Sequence, residues 1–134
     1  MKITVAICRT LLGLGFIVFG LNIMHPFLPQ PPPPAGSLVA QFIGVMGPTH
    51  WMSVVGFFQF LGGVLVLFGG TAPMGLVLLA PVLVNILLFH ICLMKGNGIL
   101  PGLVFSVFEA FLIFSYRDYF LALLTTKARP KLKS

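Results

Sequence analysis

The feature that most constrains this chain is a set of four long apolar stretches, at residues 3–24, 51–69, 74–94 and 99–124. A helix needs about 20 apolar residues to cross a bilayer, because each residue advances the helix by about 1.5 Å. All four stretches are close to that length or exceed it. The sequence therefore predicts a single all-α transmembrane domain over residues 1–134, folded as an antiparallel bundle of four membrane-spanning helices.

The overall composition excludes most classes of soluble protein. Charged residues make up 7% of the chain and hydrophobic residues 58%, whereas a soluble domain has about 25% charged and about 45–50% apolar residues. So few charged side chains cannot cover the surface of a water-soluble globule. A soluble enzyme, a nucleic-acid-binding module and a disordered chain are therefore excluded, and we predict an integral membrane protein.

The basic residues predict the orientation of the chain in the membrane. The chain has eight Lys and Arg residues against two Asp and Glu residues. Lys95 is the lone basic residue on one predicted side, and the opposite side carries Lys2, Arg9, Arg117, Lys127, Arg129, Lys131 and Lys133. An excess of basic residues marks the cytoplasmic side. We expect a multi-pass membrane protein with both termini in the cytoplasm and no nucleic-acid partner.

The first outer loop, residues 25–50, is the one long connection between predicted spans. Its run of prolines favours an extended polyproline conformation. Ser37 is expected to cap a short helix that continues to Met46, which is too short to cross the bilayer and is therefore predicted to lie at its interface. We interpret the proline run as a rigid strap over the outer mouth of the bundle; a ligand for a partner protein is the alternative.

Glycine residues recur along one face of each of the first two spans. Gly13 and Gly20 share a face of the first span, and Gly56 and Gly63 share a face of the second. Small residues at such positions let the backbones of membrane helices approach closely. The pattern predicts helix packing and needs no functional explanation.

Ionisable side chains inside a membrane are costly, so each one is a candidate for a functional role. Glu109 lies in the middle of the fourth span, and Arg9 lies in the first span about one helical turn nearer the cytoplasm. We predict a buried charge network in which Arg9 pairs with Glu109 or with Asp118. The alternative is that Glu109 is unpaired and neutral, and donates a hydrogen bond to a ligand or carries a proton.

A second set of polar residues predicts a ligand-binding cleft in the outer half of the bundle. Gln59, Asn85 and Glu109 lie near the middle of their spans, and His90 lies about 9 Å further out at 1.5 Å per residue. Such a ladder of hydrogen-bonding groups fits a long apolar molecule with a polar head, such as a quinone or a lipid. The alternative is that each side chain only bonds a neighbouring helix.

The sequence predicts no metal site and no intrinsic cofactor. His25, His50 and His90 lie at the predicted outer end with several methionines, and imidazole and thioether ligands are typical of copper sites. However, the chain has no Met-x-x-Met series, no Cys-x-x-Cys pair and no paired-histidine helix that would indicate copper or haem. It also has no recognisable catalytic motif, so no catalytic residue is identified.

Several of these motifs resemble the DoxX family of small four-span bacterial membrane proteins. The resemblance covers almost the whole chain and is carried by residues 9–22, 34–36, 59–63, 79–90, 108–110 and 116–118. The resemblance implies a four-helix membrane bundle in the bacterial inner membrane. It also implies a link to quinones, since the family is named after a subunit of an archaeal thiosulfate:quinone oxidoreductase. One departure is that relatives often carry Lys and Glu where this chain has Gly56 and Gln59, which weakens an independent catalytic role.

Two functions follow from these patterns. The first is a quinone- or lipid-interacting component of a membrane oxidoreductase system, in which another protein supplies the electrons. The second is a non-catalytic accessory subunit that packs against a larger membrane complex, which the fourteen Phe residues favour. Both imply the bilayer and other membrane subunits, or a second copy of the chain, as partners. A small-solute transporter is disfavoured because the chain shows no inverted repeat.

Overall fold

The computed structural model describes residues 1–131, and this part of the chain is helical and contains no β-strand. Its helices are α1 (Lys2–Met24), α2 (Leu38–Met46), α3 (Trp51–Leu67), α4 (Ala72–Leu88), α5 (Leu100–Ser115) and α6 (Arg117–Leu121). Shorter helical turns precede α4, follow α4 and follow α6, at Gly69–Thr71, Phe89–Leu93 and Ala122–Leu124.

Two helical segments are long and apolar enough to cross a membrane. They are α1 and the continuous segment Gly69–Leu93, which contains α4. Two further pairs of helical segments are long enough only if each pair is counted as one bent span. One pair is α2 with α3, bent by 84°, and the other is α5 with Arg117–Leu124, bent by 78°. Residues 1–131 therefore contain two to four candidate membrane spans, as expected of a membrane protein.

The last predicted span, residues 99–124, is not one straight helix. α5 ends at Ser115, and Tyr116 leaves helical geometry with φ −102° and ψ 16°. Arg117 then donates a 3.3 Å hydrogen bond from Nη1 to the carbonyl oxygen of Phe114, and its guanidinium lies 4.8 Å from the centre of the Phe114 ring. These contacts hold the corner between α5 and α6.

α1 and α3 approach each other closely because glycines line their contact. A Cβ atom added to Gly20 would lie 2.6 Å from the carbonyl oxygen of Gly56, and one added to Gly63 would lie 2.7 Å from that of Gly13. Any larger side chain at these positions would push the two backbones apart. The glycine pattern of the first two spans is therefore explained by packing.

The remaining long helices complete a shared apolar core. α4 packs against α3 and α5, and α5 also packs against α1. The core is formed by residues from all four of these helices: Leu12, Phe16, Val66, Leu76, Leu79, Leu83 and Leu112. The outward faces carry exposed apolar side chains such as Val18, Phe57 and Val107. Lipid tails match such a surface, whereas water does not.

The chain reverses direction after α1 through the side chain of Asn22. Its buried Oδ1 accepts hydrogen bonds from the backbone N–H groups of Phe27, at 3.0 Å, and Leu28, at 2.8 Å. The proline run that follows contains neither helix nor strand. Its predicted role as a strap over the bundle stays a prediction.

The short helix predicted in the first loop is present as α2. Ser37 is its N-cap, with Oγ accepting a 3.1 Å hydrogen bond from the backbone N–H of Ala40. The ring of Phe42 on α2 lies 5.3 Å from that of Phe89, so α2 is packed at the end of the molecule that contains the π-helical turn after α4.

Candidate functional site

The four residues of the predicted ligand-binding cleft differ in burial. Gln59 is 2% exposed and Glu109 is 3% exposed, whereas Asn85 is exposed and His90 is half-buried. The two grooves described below are lined by none of the four. The structure thus divides the set into an interior pair and an outer pair, and a common cleft for them stays a prediction.

The outer pair, Asn85 and His90, forms hydrogen bonds within its own helical segment. Asn85 Nδ2 donates to the carbonyl oxygen of Pro81 at 3.0 Å, and His90 Nδ1 lies 2.8 Å from the carbonyl oxygen of Ile86. A carbonyl oxygen only accepts, so the His90 hydrogen bond requires the ring proton on Nδ1. Both side chains therefore have partners without a ligand.

The interior pair, Gln59 and Glu109, has oxygen atoms without partners. Among the described residues, no donor reaches Gln59 Oε1 or either carboxyl oxygen of Glu109. Gln59 lies on α3 and Glu109 on α5, and both of these helices pack against α1 and α4. A buried polar group without a hydrogen bond costs about 1–3 kcal/mol. Each of these oxygen atoms is therefore a position where a ligand, a water molecule or another subunit would be stabilised.

The predicted charge network of Arg9, Glu109 and Asp118 is not formed in residues 1–131. Arg9 Nη1 instead donates a 3.3 Å hydrogen bond to the hydroxyl of Tyr116, while the Glu109 carboxyl has no partner and Asp118 is exposed. The reason is the corner at Tyr116. It places the phenol at the end of α5 beside α1, and it carries Asp118 onto α6.

Tyr116 also connects Arg9 to the segment before α4. Its hydroxyl donates a long hydrogen bond of 3.5 Å to the carbonyl oxygen of Gly69. The guanidinium of Arg9 occupies the space beside Gly69, so a Cβ atom there would displace the end of the Arg9 side chain. The sequence alone indicates no role for this tyrosine. The available signal was its position on the helical face of Glu109, seven residues further along the chain.

A basic groove opens beside this cluster, between the first turns of α1 and the corner of α5 and α6. It has a volume of about 580 Å³. Its polar lining includes Lys2, Arg9, Tyr116 and Arg117, and its apolar lining includes Val5, Phe111 and Phe114. No acidic side chain lines it. The sequence did not reveal this groove, because its two walls come from opposite ends of the chain.

A second groove is entirely apolar in its side chains. It has a volume of about 410 Å³ and lies between α4, α5 and the segment after the corner, lined by Leu76, Val77, Ala80, Ile113, Phe120, Leu123 and Leu124. Such a surface fits a hydrocarbon chain and offers no group for recognition of a polar head.

The histidines are not gathered into a metal-binding group. Within the described part of the chain, no three His, Cys, Asp or Glu residues lie close enough together to hold an ion. His25 and His50 are both exposed, and His90 bonds to its own helix. We therefore assign no metal ligand among these residues.

Comparisons of the whole chain with protein-family models, with curated proteins and with solved structures find no match. The resemblance to the DoxX family therefore stays a prediction that rests on the motifs themselves.

Proposed function

We propose that the protein is a DoxX-like component of a membrane oxidoreductase system that interacts with a quinone or a lipid. The observation that supports this function is the interior pair, Gln59 and Glu109, whose buried oxygen atoms have no partner. Polar side chains inside a membrane protein are costly, and they mark ligand sites and proton paths. The electrons would come from another protein, because the sequence shows no redox centre of its own.

The chemistry of the interior pair matches a quinone head or a lipid hydroxyl. The Gln59 amide both donates and accepts, and a protonated Glu109 carboxyl also does both. A quinone carbonyl would accept from these donors, and the hydroxyl of the reduced form would donate to the unpaired oxygen atoms. The apolar core around the pair would contact the ring and the tail of the same molecule.

The architecture that we propose for this function is an antiparallel bundle of four spans in the bacterial inner membrane, with both termini in the cytoplasm. The contacts of Gly13 with Gly63 and of Gly20 with Gly56 support opposite directions for α1 and α3. The excess of basic residues at the end that contains Arg117 supports the cytoplasmic assignment of that end.

The second candidate function is a non-catalytic accessory subunit in a larger membrane complex. Its specific support is the aromatic outer face of α3, where Phe57 and Phe58 are 50% and 41% exposed and their rings lie 5.9 Å apart. Large aromatic side chains contribute strongly to contacts between subunits. In that case the partner, rather than a small molecule, would cover this face.

The test is to purify the protein in mild detergent, identify the lipids and quinones that co-purify, and measure the thermal shift caused by a short-chain ubiquinone. Replacing an unpaired buried polar group with leucine leaves the fold intact or stabilises it. We therefore expect Gln59→Leu and Glu109→Leu to fold, and to weaken quinone or lipid binding by at least about tenfold, or about 1.4 kcal/mol. The exposed Gln41→Leu is the matched control and should bind like the parent.

Two results would contradict the proposal. The first is that no quinone or lipid is retained and no thermal shift is seen; a defined larger assembly on a native gel would then support the accessory subunit. The second is unchanged binding in both leucine variants. The same measurement on Asn85→Leu and His90→Phe decides whether the outer pair belongs to the site.

A further inference from the structure

The basic groove combines cationic and apolar side chains. Its cationic side chains are Lys2, Arg9 and Arg117, and its apolar side chains include Val5, Phe111 and Phe114, so that α1 and the corner of α5 and α6 each contribute both kinds. The two acidic residues of the chain do not line it, so no carboxylate in the groove neutralises these cations. An occupant that satisfies both kinds of side chain must have an anionic head and an apolar body.

Arg9 is the cation that the fold holds most firmly. It is half-buried, its Nη1 donates to Tyr116, and its guanidinium packs against the backbone at Gly69. A guanidinium has five N–H donors, and the hydrogen bond to Tyr116 is the one that the described structure gives to this group. Its Nε is buried without a partner among the described residues, so the donors left for an anion at the groove are those of the Nη atoms. The planar guanidinium matches the geometry of phosphate oxygens.

Arg117 is a second cation at the edge of the groove, and contacts within the protein already hold its guanidinium in place before any ligand binds. Its guanidinium lies 4.8 Å from the centre of the Phe114 ring, and its Nη1 donates to the Phe114 carbonyl oxygen at 3.3 Å. Contact with an aromatic face stabilises a cation and limits its freedom. Less entropy is then lost when an anion binds to it.

We propose that the basic groove binds the phosphate head of an anionic phospholipid, with Arg9 and Arg117 as its principal ligands and Lys2 as a further cation. The acyl chains of the lipid would contact the apolar side chains Val5, Phe111 and Phe114. The groove lies at the predicted cytoplasmic end, and anionic lipids attract basic residues near that surface. This site is separate from the interior pair, so it does not depend on the quinone proposal.

The test uses the full chain in detergent and measures the thermal shift caused by short-chain phosphatidylglycerol, with phosphatidylcholine and inorganic phosphate as the other probes. We expect phosphatidylglycerol alone to stabilise the protein. Arg117→Gln and Arg9→Gln should each weaken its apparent affinity by about tenfold, the effect of one charge-assisted contact. The control is Lys127→Gln with Arg129→Gln, which removes basic residues from the tail and leaves the groove intact.

Three outcomes would overturn the proposal. The first is a thermal shift with phosphatidylcholine as large as that with phosphatidylglycerol, and the second is such a shift with inorganic phosphate. The third is that the groove variants and the tail variant lose the same amount of affinity for phosphatidylglycerol. If Arg9→Gln does not fold, because the Tyr116 contact is lost, Arg117→Gln decides. If a groove variant loses the thermal shift with phosphatidylglycerol but still binds quinone, the groove and the interior pair are two different sites.

Discussion

The hydroxyl group of Tyr116 joins three separate parts of the chain. It accepts a hydrogen bond from Arg9 on α1, it donates to the backbone at Gly69, and it marks the corner between α5 and α6. A charged group that is partly buried needs such a partner, because an unpaired one costs free energy. Tyr116 thus performs the stabilising role that the sequence assigned to Glu109 or Asp118.

The first prediction concerns this hydroxyl group. Tyr116→Phe keeps the ring and removes the acceptor for Arg9, so we expect the free energy of unfolding to fall by about 1 kcal/mol. The measurement is thermal unfolding in detergent, compared with the parent. Tyr119→Phe is the matched control, since Tyr119 is 69% exposed and should change little. Equal stability of the two variants would show that the Tyr116 hydroxyl contributes nothing.

At the scale of the helices, the α1–α3 contact depends on the absence of side chains. A Cβ atom at Gly20 would lie 2.6 Å from the backbone oxygen of Gly56 and 2.6 Å from the backbone nitrogen of Phe60. Backbone atoms cannot turn away as a flexible side chain can, so both helices would have to move. The close approach of α1 and α3 therefore depends on glycine at position 20.

The second prediction follows from that geometry. Gly20→Ala should destabilise the protein by about 1–3 kcal/mol, the usual cost of forcing extra atoms into a packed contact. Gly44→Ala is the matched control, because Gly44 lies in α2 and a Cβ atom there meets nothing within 4 Å. Alanine favours helix by about 1 kcal/mol over glycine, so the control should be neutral or more stable. A melting temperature that is unchanged by Gly20→Ala would contradict the close contact.

At the scale of the whole molecule, the bent pairs decide how many times the chain crosses the membrane. α3 has 17 residues and α5 has 16, or about 25 Å of helix each at 1.5 Å per residue. That length is slightly less than the roughly 30 Å of a bilayer core. The adjoining segments, Gly69–Thr71 after α3 and the corner after α5, would supply the remaining distance to the headgroups.

The third prediction tests the number of spans. With Cys8 and Cys92 replaced by serine, single cysteines at Ser37, Gly70 and Gly96 are labelled in sealed inverted and right-side-out vesicles with a membrane-impermeant maleimide. Four spans predict that positions 37 and 96 react from the outside and position 70 from the inside. Labelling of positions 37 and 70 from the same side would mean that α3 does not cross. A cysteine at Thr125 should share the side of position 70.

The sequence by itself determined those features that depend on neighbours along the chain. Apolar runs with few charges predict membrane helices, because the hydrogen bonds of a helix close within four residues, and α1 follows its predicted run almost residue for residue. The cap of α2 was predictable for the same reason, since Ser37 and Ala40 lie three residues apart. The glycine pattern likewise indicated close packing, although it did not say which helices meet.

The tertiary structure alone decided the partners of the polar groups and the shape of the sites. Arg9 and Tyr116 are 107 residues apart in the chain, so their contact depends on how α1 and α5 pack. Hydropathy continues past Ser115, and the corner that divides the last apolar stretch lies where Tyr116 bonds Gly69, 47 residues away in the chain. Contacts between residues far apart in the chain leave no pattern in the sequence, because helix propensity and capping depend only on neighbouring residues. The basic groove, and the lack of hydrogen-bond partners for the buried oxygen atoms of Gln59 and Glu109, are therefore visible only in the tertiary structure.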